Sequence, residues 1–169
     1  FDGDRIDVVE LTVPCDLHFV VVDLGASKDT REILNQLNHC YPFADNDVQR
    51  GVQIYLGPIS ARISAEAMAA INAGDAARIG ELMREAQANF DRYCIPACPS
   101  QLTAPVLHKV LAHPALQPHI LGGKGVGSQG DGTAQFIVKD AAAQDTVIDI
   151  LERDLKLKGL KLVIQAGRR

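Results

Sequence analysis

Some segments of the chain have the apolar pattern that is typical of β-strands, and others have the pattern that is typical of α-helices. Residues 17–24 form a short apolar run that is rich in β-branched side chains, which predicts a buried strand. Residues 6–13, with mixed alternation, residues 133–138, and residues 160–165, which alternate, are predicted as three further strands. A turn at Pro14-Cys15-Asp16 separates the first two strands.

Apolar residues spaced three and four apart predict helices between these strands. The predicted helices cover about residues 28–37, 47–56, 60–73, 76–93, 102–112 and 141–155. Ser27, Asp45 or Asn46, and Ser100 are the expected N-caps of three of them, since a short polar side chain satisfies free amides at a helix start. Gly57-Pro58 and Gly74-Asp75 are expected to separate neighbouring helices.

The order of these elements predicts the fold class. It runs strand, strand, helix, several helices, a glycine-rich stretch, strand, helix, strand. Four strands with helices on one face give an α+β two-layer sandwich, and the remaining helices are additions to it. Two strands at the very start also suggest a domain taken from a longer protein.

Composition and charge narrow the function classes. The chain has 169 residues, 47% hydrophobic and 22% charged, which is typical of one globular domain. A formal charge of −4 gives no support to nucleic-acid or membrane-surface binding. No apolar run has the length of a membrane-spanning helix, and residues 1–5 do not resemble a signal peptide. We therefore expect neither a nucleic-acid partner nor a membrane partner.

The cysteines and histidines do not predict a metal site. Cys15, Cys40, Cys94 and Cys98 match no zinc-binding spacing, so free thiols in a reducing cytoplasm are expected. His108 and His113 are five residues apart, which differs from the four-residue spacing of a helical metal site. All five histidines are assigned core or surface roles.

A glycine-rich stretch is the strongest functional feature. Six glycines lie within eleven positions, from Gly122 to Gly132. Glycine permits positive φ and close approach of another group, and consecutive amides in such a turn can form a concave anion site. A phosphate-binding loop is one reading, and a flexible surface connection is the other.

Three familiar phosphate loops do not fit this stretch. Residues 125–130 match G-x-G-x-x-G, but the dinucleotide motif requires a strand before it and a helix after it. Here two prolines precede the stretch and a strand-like run follows it. The Gly-Lys-Ser/Thr end of a Walker A loop is absent, and so are the segments that accompany the glycine-rich loop of protein kinases.

The stretch resembles the third conserved motif of the GHMP kinases, which include galactokinase, homoserine kinase, mevalonate kinase and phosphomevalonate kinase. Val126 and Gln129 depart from the family pattern, and Asp131 stands where the family has Gly or Asp. The matching positions are Gly123, Lys124, Gly127, Ser128, Gly130 and Gly132.

Two other segments extend this resemblance. Residues 23–30, Asp-Leu-Gly-Ala-Ser-Lys-Asp-Thr, are similar to a turn that faces the acceptor substrate in the family. Residues 69–83 are similar to a helical segment with Gly-Asp at its turn. Each segment also has a purely structural interpretation: residues 23–30 as a capped strand-to-helix turn, and residues 69–83 as an ordinary helical hairpin.

The resemblance implies a ferredoxin-like, mostly antiparallel sheet and assigns residues 1–169 to a GHMP C-terminal domain. The N-terminal domain, which holds the main ATP loop and the catalytic Asp of many members, is not in this sequence. ATP and Mg²⁺ are the implied cofactors. Implied ATP- or phosphate-binding residues are Lys124, Gly125, Gly127, Ser128, Gln129, Gly130, Asp131 and Gly132. Implied substrate-binding residues are Asp23, Gly25, Ser27 and Lys28. No catalytic residue and no metal ligand is assigned.

The resulting hypothesis is an ATP-dependent kinase for a small metabolite, with a sugar preferred, that is active as the full-length protein and inactive as this chain alone. Its expected partners are the small-molecule substrate, the missing N-terminal domain and a second copy in a homodimer. The alternative is a non-catalytic ferredoxin-like module for ligand binding or oligomerisation. A third possibility, suggested by Val126 and Gln129, is a homologue that no longer binds ATP.

Overall fold

One antiparallel sheet organises the protein. The computed structural model describes Val8 and residues 10–167. Within those residues, four strands pair in the order β2-β3-β1-β4, and every neighbouring pair is antiparallel. The strands are β1 (Leu17–Asp23), β2 (Ile120–Gly125), β3 (Thr133–Val138) and β4 (Gly159–Ile164). With helices after β1 and after β3, this is the ferredoxin-like arrangement, which confirms the predicted fold class.

The helices lie in two groups along the chain. Between β1 and β2 they are α1 (Thr30–Asn38), α2 (Asp47–Ile54), α3 (Ser60–Ala73), α4 (Ala76–Cys94), α5 (Pro99–Leu102) and α6 (Pro105–Leu111). Between β3 and β4 lies α7 (Ala141–Ile150), which continues as a π-helical turn over Leu151–Leu155. No helix in the described part of the chain is long and apolar enough to cross a bilayer.

The core is divided between the two faces of the sheet, because successive side chains of a strand point to opposite sides. Phe136 and Val138 of β3 belong to an apolar cluster with α6 and α7. Ile137, between them, belongs to a second cluster with Leu17 and with residues of α3 and α4. The additional helices predicted beside the sandwich therefore include a pair that contacts the second face.

The contact between α4 and β2 is unusually close. A Cβ built on Gly122 would overlap the backbone of Gly80, and one built on Gly80 would overlap the carbonyl group of Leu121. A Cβ on Gly123, facing the other way, would meet the ring of Phe136. At Gly80 and Gly122 glycine is required because a helix backbone and a strand backbone meet there without side chains between them, and at Gly123 it is required because the Phe136 ring occupies the space.

This contact explains an error in the predicted strands. The sequence interpretation placed a strand at residues 6–13, but the described residues 10–13 are not in a strand, and residues 1–7 and 9 lie outside the described residues. The strand that completes the sheet is instead β2, whose sequence Ile-Leu-Gly-Gly-Lys-Gly was taken as part of a loop. Its glycines hide the period of a strand because α4 needs the space that side chains would occupy.

Two of the predicted caps are wrong. Asp29, and not Ser27, caps α1, because its carboxylate accepts from the N–H groups of Arg31 and Glu32. Ser100 lies within α5 and donates its hydroxyl hydrogen to Glu32 at 2.7 Å. The predicted helix over residues 102–112 is thus two helices, divided at Ala104, which has a φ of 42°.

Other predicted boundaries hold. Asn46 caps α2, and Gly74, with a φ of 66°, ends α3 immediately before Asp75 caps α4. The predicted interruption at Gly57-Pro58 also holds: Gly57 has non-helical φ and ψ values of −93° and −106°, and the chain is kinked there between α2 and α3. At its C-terminal end the chain is described as far as Gly167, whose N–H donates to the Val13 carbonyl at 3.0 Å.

We predict that Gly80→Ala destabilises the protein although alanine is the better helix former. Helix propensity favours the change by about 1 kcal/mol, but the added methyl group would overlap the Leu121 carbonyl, and overpacking of this kind costs about 1–3 kcal/mol. The free energy of unfolding, measured by denaturant titration, should fall. Gly51→Ala in α2 is the matched control, because its Cβ would meet only the half-buried side chain of Tyr93, at 3.1 Å. Equal effects of the two changes would contradict the proposed role of the contact.

Candidate functional site

The loop between β2 and β3, residues 126–132, is called the glycine loop below. Its base is closed by a hydrogen bond from the Val126 N–H to the Thr133 carbonyl, at 3.0 Å, and a turn within it is closed by one from the Gln129 N–H to the Val126 carbonyl, at 3.1 Å. Gly127, Gln129 and Gly130 have φ values of 63°, 63° and 68°. The left-handed residues make the backbone change direction within a few positions, so its amides do not continue the strand ladder.

Several amides of the glycine loop have no protein acceptor. Among the described residues, no hydrogen bond is formed by the N–H groups of Gly127, Ser128, Gly130, Asp131 and Gly132. Gly130 is nevertheless buried, and the others except Gly127 are partly buried. Backbone amides in such positions are normally satisfied by protein, by water or by an anionic ligand. The loop thus carries a cluster of donors that its own fold does not use.

Lys28 places a cation against this loop. Its side chain packs on Gly130 and Gly132, and a Cβ built on Gly132 would lie 2.7 Å from Cε and 3.0 Å from Nζ of Lys28. Lys28 forms no ion pair with a carboxylate of the described chain. Burial lowers the pKa of its ammonium group because desolvation disfavours the charged form. An anion beside Lys28 would offset that cost.

The two sequence segments singled out for function lie side by side. The Leu24 N–H donates to the Gly132 carbonyl at 3.0 Å, and the hydroxyl oxygens of Thr30 and Ser128 lie 3.5 Å apart. The Asp29 N–H donates to the Gln101 side chain at 2.8 Å, which holds the turn against α5. Residues 23–30 and the glycine loop, nearly a hundred positions apart in sequence, therefore form one surface.

The other predicted substrate residues lie in the same turn. Asp23 and Ser27 are exposed, and the Asp23 carboxylate accepts from the N–H of Gly25 at 3.0 Å. Gly25 has a φ of 64° and no atom within 4 Å of a built Cβ. Asp23 and Gly25 thus shape the turn locally, and Lys28 is the residue of this group that reaches the glycine loop.

Lys124 points away from the unpaired amides. It is a strand residue of β2, and its ammonium group donates to the Gly125 carbonyl at 2.7 Å. Its side chain lines a cavity of about 260 Å³ against α3 and α4, and burial lowers its pKa. Gly125, also in β2, donates its N–H to the Gln87 side chain at 2.7 Å. Lys124 and Gly125, both predicted to bind phosphate, thus make their contacts at the end of β2, immediately before the loop.

Asp131 and Gln129 are also engaged in the fold. Asp131 accepts from the Leu107 N–H at 2.8 Å and so holds the first turn of α6 to the loop. This contact gives Asp131 a role in stabilising the loop. The Gln129 side chain is buried, and its Oε1 has no donor among the described residues. The described residues include no group of three or more His, Cys, Asp or Glu that could hold a metal ion.

A chain of hydrogen bonds under the loop was missed at the sequence level. Gln87 of α4 accepts from Gly125 and donates to Asp91 Oδ1 at 2.8 Å. Asp91 Oδ2 lies 3.0 Å from Nε2 of His108 on α6, and Nδ1 of His108 lies 2.8 Å from the Ala104 carbonyl. No local pattern identifies these residues, because each partner lies on a different element.

This network affects the ionisation of His108. Burial alone would lower the pKa of the imidazole, but the hydrogen bonds to Asp91 and to Ala104 outweigh it, so the pKa of His108 is raised. With both ring nitrogens facing acceptors, the protonated imidazolium is the form that the site favours.

The same fold occurs in small-molecule kinases of the GHMP family, which confirms the resemblance at the level of the fold. The phosphomevalonate kinase of Streptococcus pneumoniae, in complex with phosphomevalonate and AMPPNP, matches with a TM-score of 0.68 and 16% identity, over 95% of this chain and 44% of its own. The L. major mevalonate kinase with R-mevalonate gives 0.65 and 19%, over 94% and 45%. The Lactococcus lactis galactokinase with galactose gives 0.59 and 16%, over 92% and 47%.

These matches concern structure and not sequence. No protein-family model and no curated protein sequence matches the chain. The chain spans less than half the length of the kinases above.

The raised pKa of His108 predicts a pH-dependent contribution to stability. A group whose pKa is higher in the folded state stabilises the fold below its unfolded pKa, about 6.5 for histidine, and this stabilisation is lost as the pH rises through the folded value. Asp91→Asn should therefore reduce the free energy of unfolding more at about pH 5.5 than at about pH 9. Denaturant titration at the two pH values measures this difference.

Asp149→Asn is the control for the charge change, because Asp149 is an exposed residue of α7 without an ion pair among the described residues. A loss of stability in Asp91→Asn that is the same at both pH values would show that the imidazolium is not stabilised by Asp91.

Proposed function

We propose that this chain is the C-terminal domain of an ATP-dependent GHMP-type kinase that phosphorylates a small metabolite. The observation that carries the proposal is the set of unpaired amides in the glycine loop beside Lys28. Unpaired backbone amides next to an ammonium group suit the oxygens of a phosphoryl group during its transfer, because such transfer depends on positioning and charge neutralisation. The fold shared with several kinases is the second support.

Each residue has a distinct part in this proposal. The N–H groups of Gly127, Ser128, Gly130 and Gly132 would donate to phosphate oxygens, and Lys28 would neutralise charge. Lys124, Gly125 and Asp131 would act through the loop: they connect it to β2, α4 and α6 by the contacts described above. Gln129 would act by shaping the loop, through its left-handed backbone and its hydrogen bond to Val126. Asp23, Gly25 and Ser27, in the adjoining turn, would border the acceptor substrate.

Of the two implied cofactors, ATP suits the surface formed by the glycine loop and Lys28, and Mg²⁺ has no proposed protein ligand there. The unpaired amides and Lys28 suit the phosphates of ATP, the nucleotide whose analogue AMPPNP is in the S. pneumoniae phosphomevalonate kinase complex. Mg²⁺ would neutralise charge on those phosphates. The carboxylate of Asp131 is already an acceptor for Leu107, so we assign the protein ligands of Mg²⁺ to the domain that this sequence does not contain.

A sugar is the proposed substrate class. Galactokinase with galactose is one of the structures with this fold, but mevalonate, phosphomevalonate and homoserine kinases share it as well. The experiment therefore has to compare substrate classes and not only sugars.

A second candidate function is an oligomerisation module. It is favoured by β4, which pairs with β1 and exposes Leu160, Leu162, Val163 and Ile164 to between 38% and 56%. Apolar strands at a sheet edge are suited to pairing with another chain. The same surface would equally suit contact with an N-terminal domain, so the coding sequence upstream of this chain discriminates between the two functions. A kinase requires a further domain with a glycine-rich ATP loop there.

The activity prediction uses the full-length protein and this chain in parallel. With ATP and Mg²⁺, the full-length protein should phosphorylate at least one member of a panel of monosaccharides, mevalonate, phosphomevalonate and homoserine, with the highest kcat/KM for a monosaccharide. The chain alone should show no turnover, because the proposed ATP loop and catalytic Asp are in the other domain. Turnover by the chain alone would refute the proposal that the ATP loop and the catalytic Asp lie in the other domain. If the full-length protein phosphorylated no member of the panel, that result would count against the proposed kinase activity.

Lys28→Gln tests the proposed site within the full-length protein. Removal of a charge that contacts phosphate should lower kcat/KM by at least roughly tenfold, since charge-assisted hydrogen bonds contribute about 1.5–3 kcal/mol. Lys139→Gln is the control, because Lys139 is exposed in the turn after β3, away from the loop. Steady-state kinetics that do not distinguish the two variants would exclude a role for Lys28.

A further inference from the structure

A cleft on the opposite side of β2 from Lys124 is separate from the amides of the glycine loop. It lies between α4, α6 and the strands β2 and β3, and it has a volume of about 320 Å³. Small-molecule pockets in proteins begin at about this size. Neither the unpaired amides nor Lys28 line it, so it does not belong to the site proposed for phosphate.

The floor of the cleft is apolar. Phe136 and Ile120 form it from the sheet, and Leu111 and Ala112 from the end of α6. Gly123 also lines it, and the absence of a side chain there leaves room beside the ring of Phe136. A compact aromatic or branched alkyl group of about ten non-hydrogen atoms suits such a volume and surface.

The charged groups at the cleft leave one cation without an anionic partner. Asp91 uses both carboxylate oxygens, one for Gln87 and one for His108, and His108 is paired through both nitrogens. Arg84 remains: its guanidinium donates one hydrogen bond to the Leu121 carbonyl and contacts no carboxylate of the described chain. It is exposed on α4 at the edge of the cleft.

We propose that this cleft binds a small organic carboxylate whose apolar body lies on Phe136 and whose carboxylate pairs with Arg84. The planar guanidinium fork matches a carboxylate in a bidentate pair. The protonated form of His108 adds positive charge to the same wall, and the paired Asp91 offsets it. When His108 is protonated, Arg84, His108 and Asp91 together contribute a net positive charge, which favours an anion over a neutral or cationic ligand.

One residue that lines the cleft is hydrogen-bonded to the end of β2 that leads into the glycine loop. Gln87 lines the cleft and accepts from the N–H of Gly125, one residue before the loop. A bound carboxylate is therefore expected to change the environment of the Gly123 and Gly125 amides. This inference does not depend on the kinase proposal, because its experiment contains no nucleotide and measures no phosphorylation.

The test is titration of the chain with 4-phenylbutyrate, followed by amide NMR. The expected Kd is in the millimolar range, on the order of 1 mM, which is typical of a ligand of this size. The Gly123 and Gly125 amide signals should shift in a saturable manner. The matched neutral probe is 4-phenylbutan-1-ol, which has the same body without charge and should bind at least roughly tenfold more weakly if Arg84 pairs with the carboxylate.

Two variants locate the binding. Ala88→Phe fills the open edge of the cleft from an exposed position of α4 and should abolish the shifts. Arg84→Gln should reduce the affinity for 4-phenylbutyrate to that for the alcohol, whereas Arg92→Gln, an arginine of α4 outside the cleft, should leave it unchanged. The NMR spectrum of each free variant verifies its fold.

Three results would overturn the proposal. The first is the absence of saturable shifts with 4-phenylbutyrate in the parent protein. The second is binding that survives Ala88→Phe in a folded variant, because the ligand would then be elsewhere. The third is equal affinity for the acid and the alcohol, or equal losses in Arg84→Gln and Arg92→Gln, because the carboxylate would then not pair with Arg84.

Discussion

The direct backbone contact between α4 and β2 is the constraint on which the rest of the structure depends. Gly80 and Gly122 meet with no side chain between them, so the helix lies closer to this edge strand than ordinary side chains would allow. At that distance Gln87 reaches the Gly125 amide and Arg84 reaches the Leu121 carbonyl. An edge strand with few side chains is thereby held by a helix, and the start of the glycine loop is held with it.

The glycine loop combines firm anchoring with unused hydrogen-bonding capacity. Asp131 attaches it to α6, Gln87 to α4, and the Gly132 carbonyl to the residue after β1. Despite these three attachments, several of its amides have no acceptor among the residues that the structure describes. A flexible surface connection would not require such attachments, since its amides could be satisfied by water from any conformation. The arrangement corresponds better to a pre-organised group of donors, which costs little to reorganise when an anion binds.

The same attachments connect two sides of the molecule. On one side of β2 are Lys124 and its cavity, and on the other side is the cleft with Phe136 and His108. The hydrogen-bond chain from His108 through Asp91 and Gln87 ends at Gly125, so it links the imidazole to the residue that precedes the glycine loop. Gln87 is the buried member of this chain, so the loss of one of its partners would leave a buried polar group unpaired.

The sequence by itself determined the α+β class, the positions of β1, β3 and β4, most helix boundaries, and the two segments that form the candidate site. Local physics is sufficient for these: β-branched runs favour strands, helical periodicity marks one buried face, and Asn46 and Asp75 cap the helices that follow them. Glycine clusters likewise reveal where a backbone must turn or be approached closely.

Only the tertiary structure decided the remaining features. It showed that Gly122, Gly123 and Gly125 lie in a strand, that Lys124 points away from the loop while Lys28 reaches it, and that Gln87 holds the loop in place. Each of these depends on a neighbour that is distant in sequence. A glycine in a loop and a glycine under a helix look the same in the chain, because what distinguishes them is the element that packs against the missing side chain.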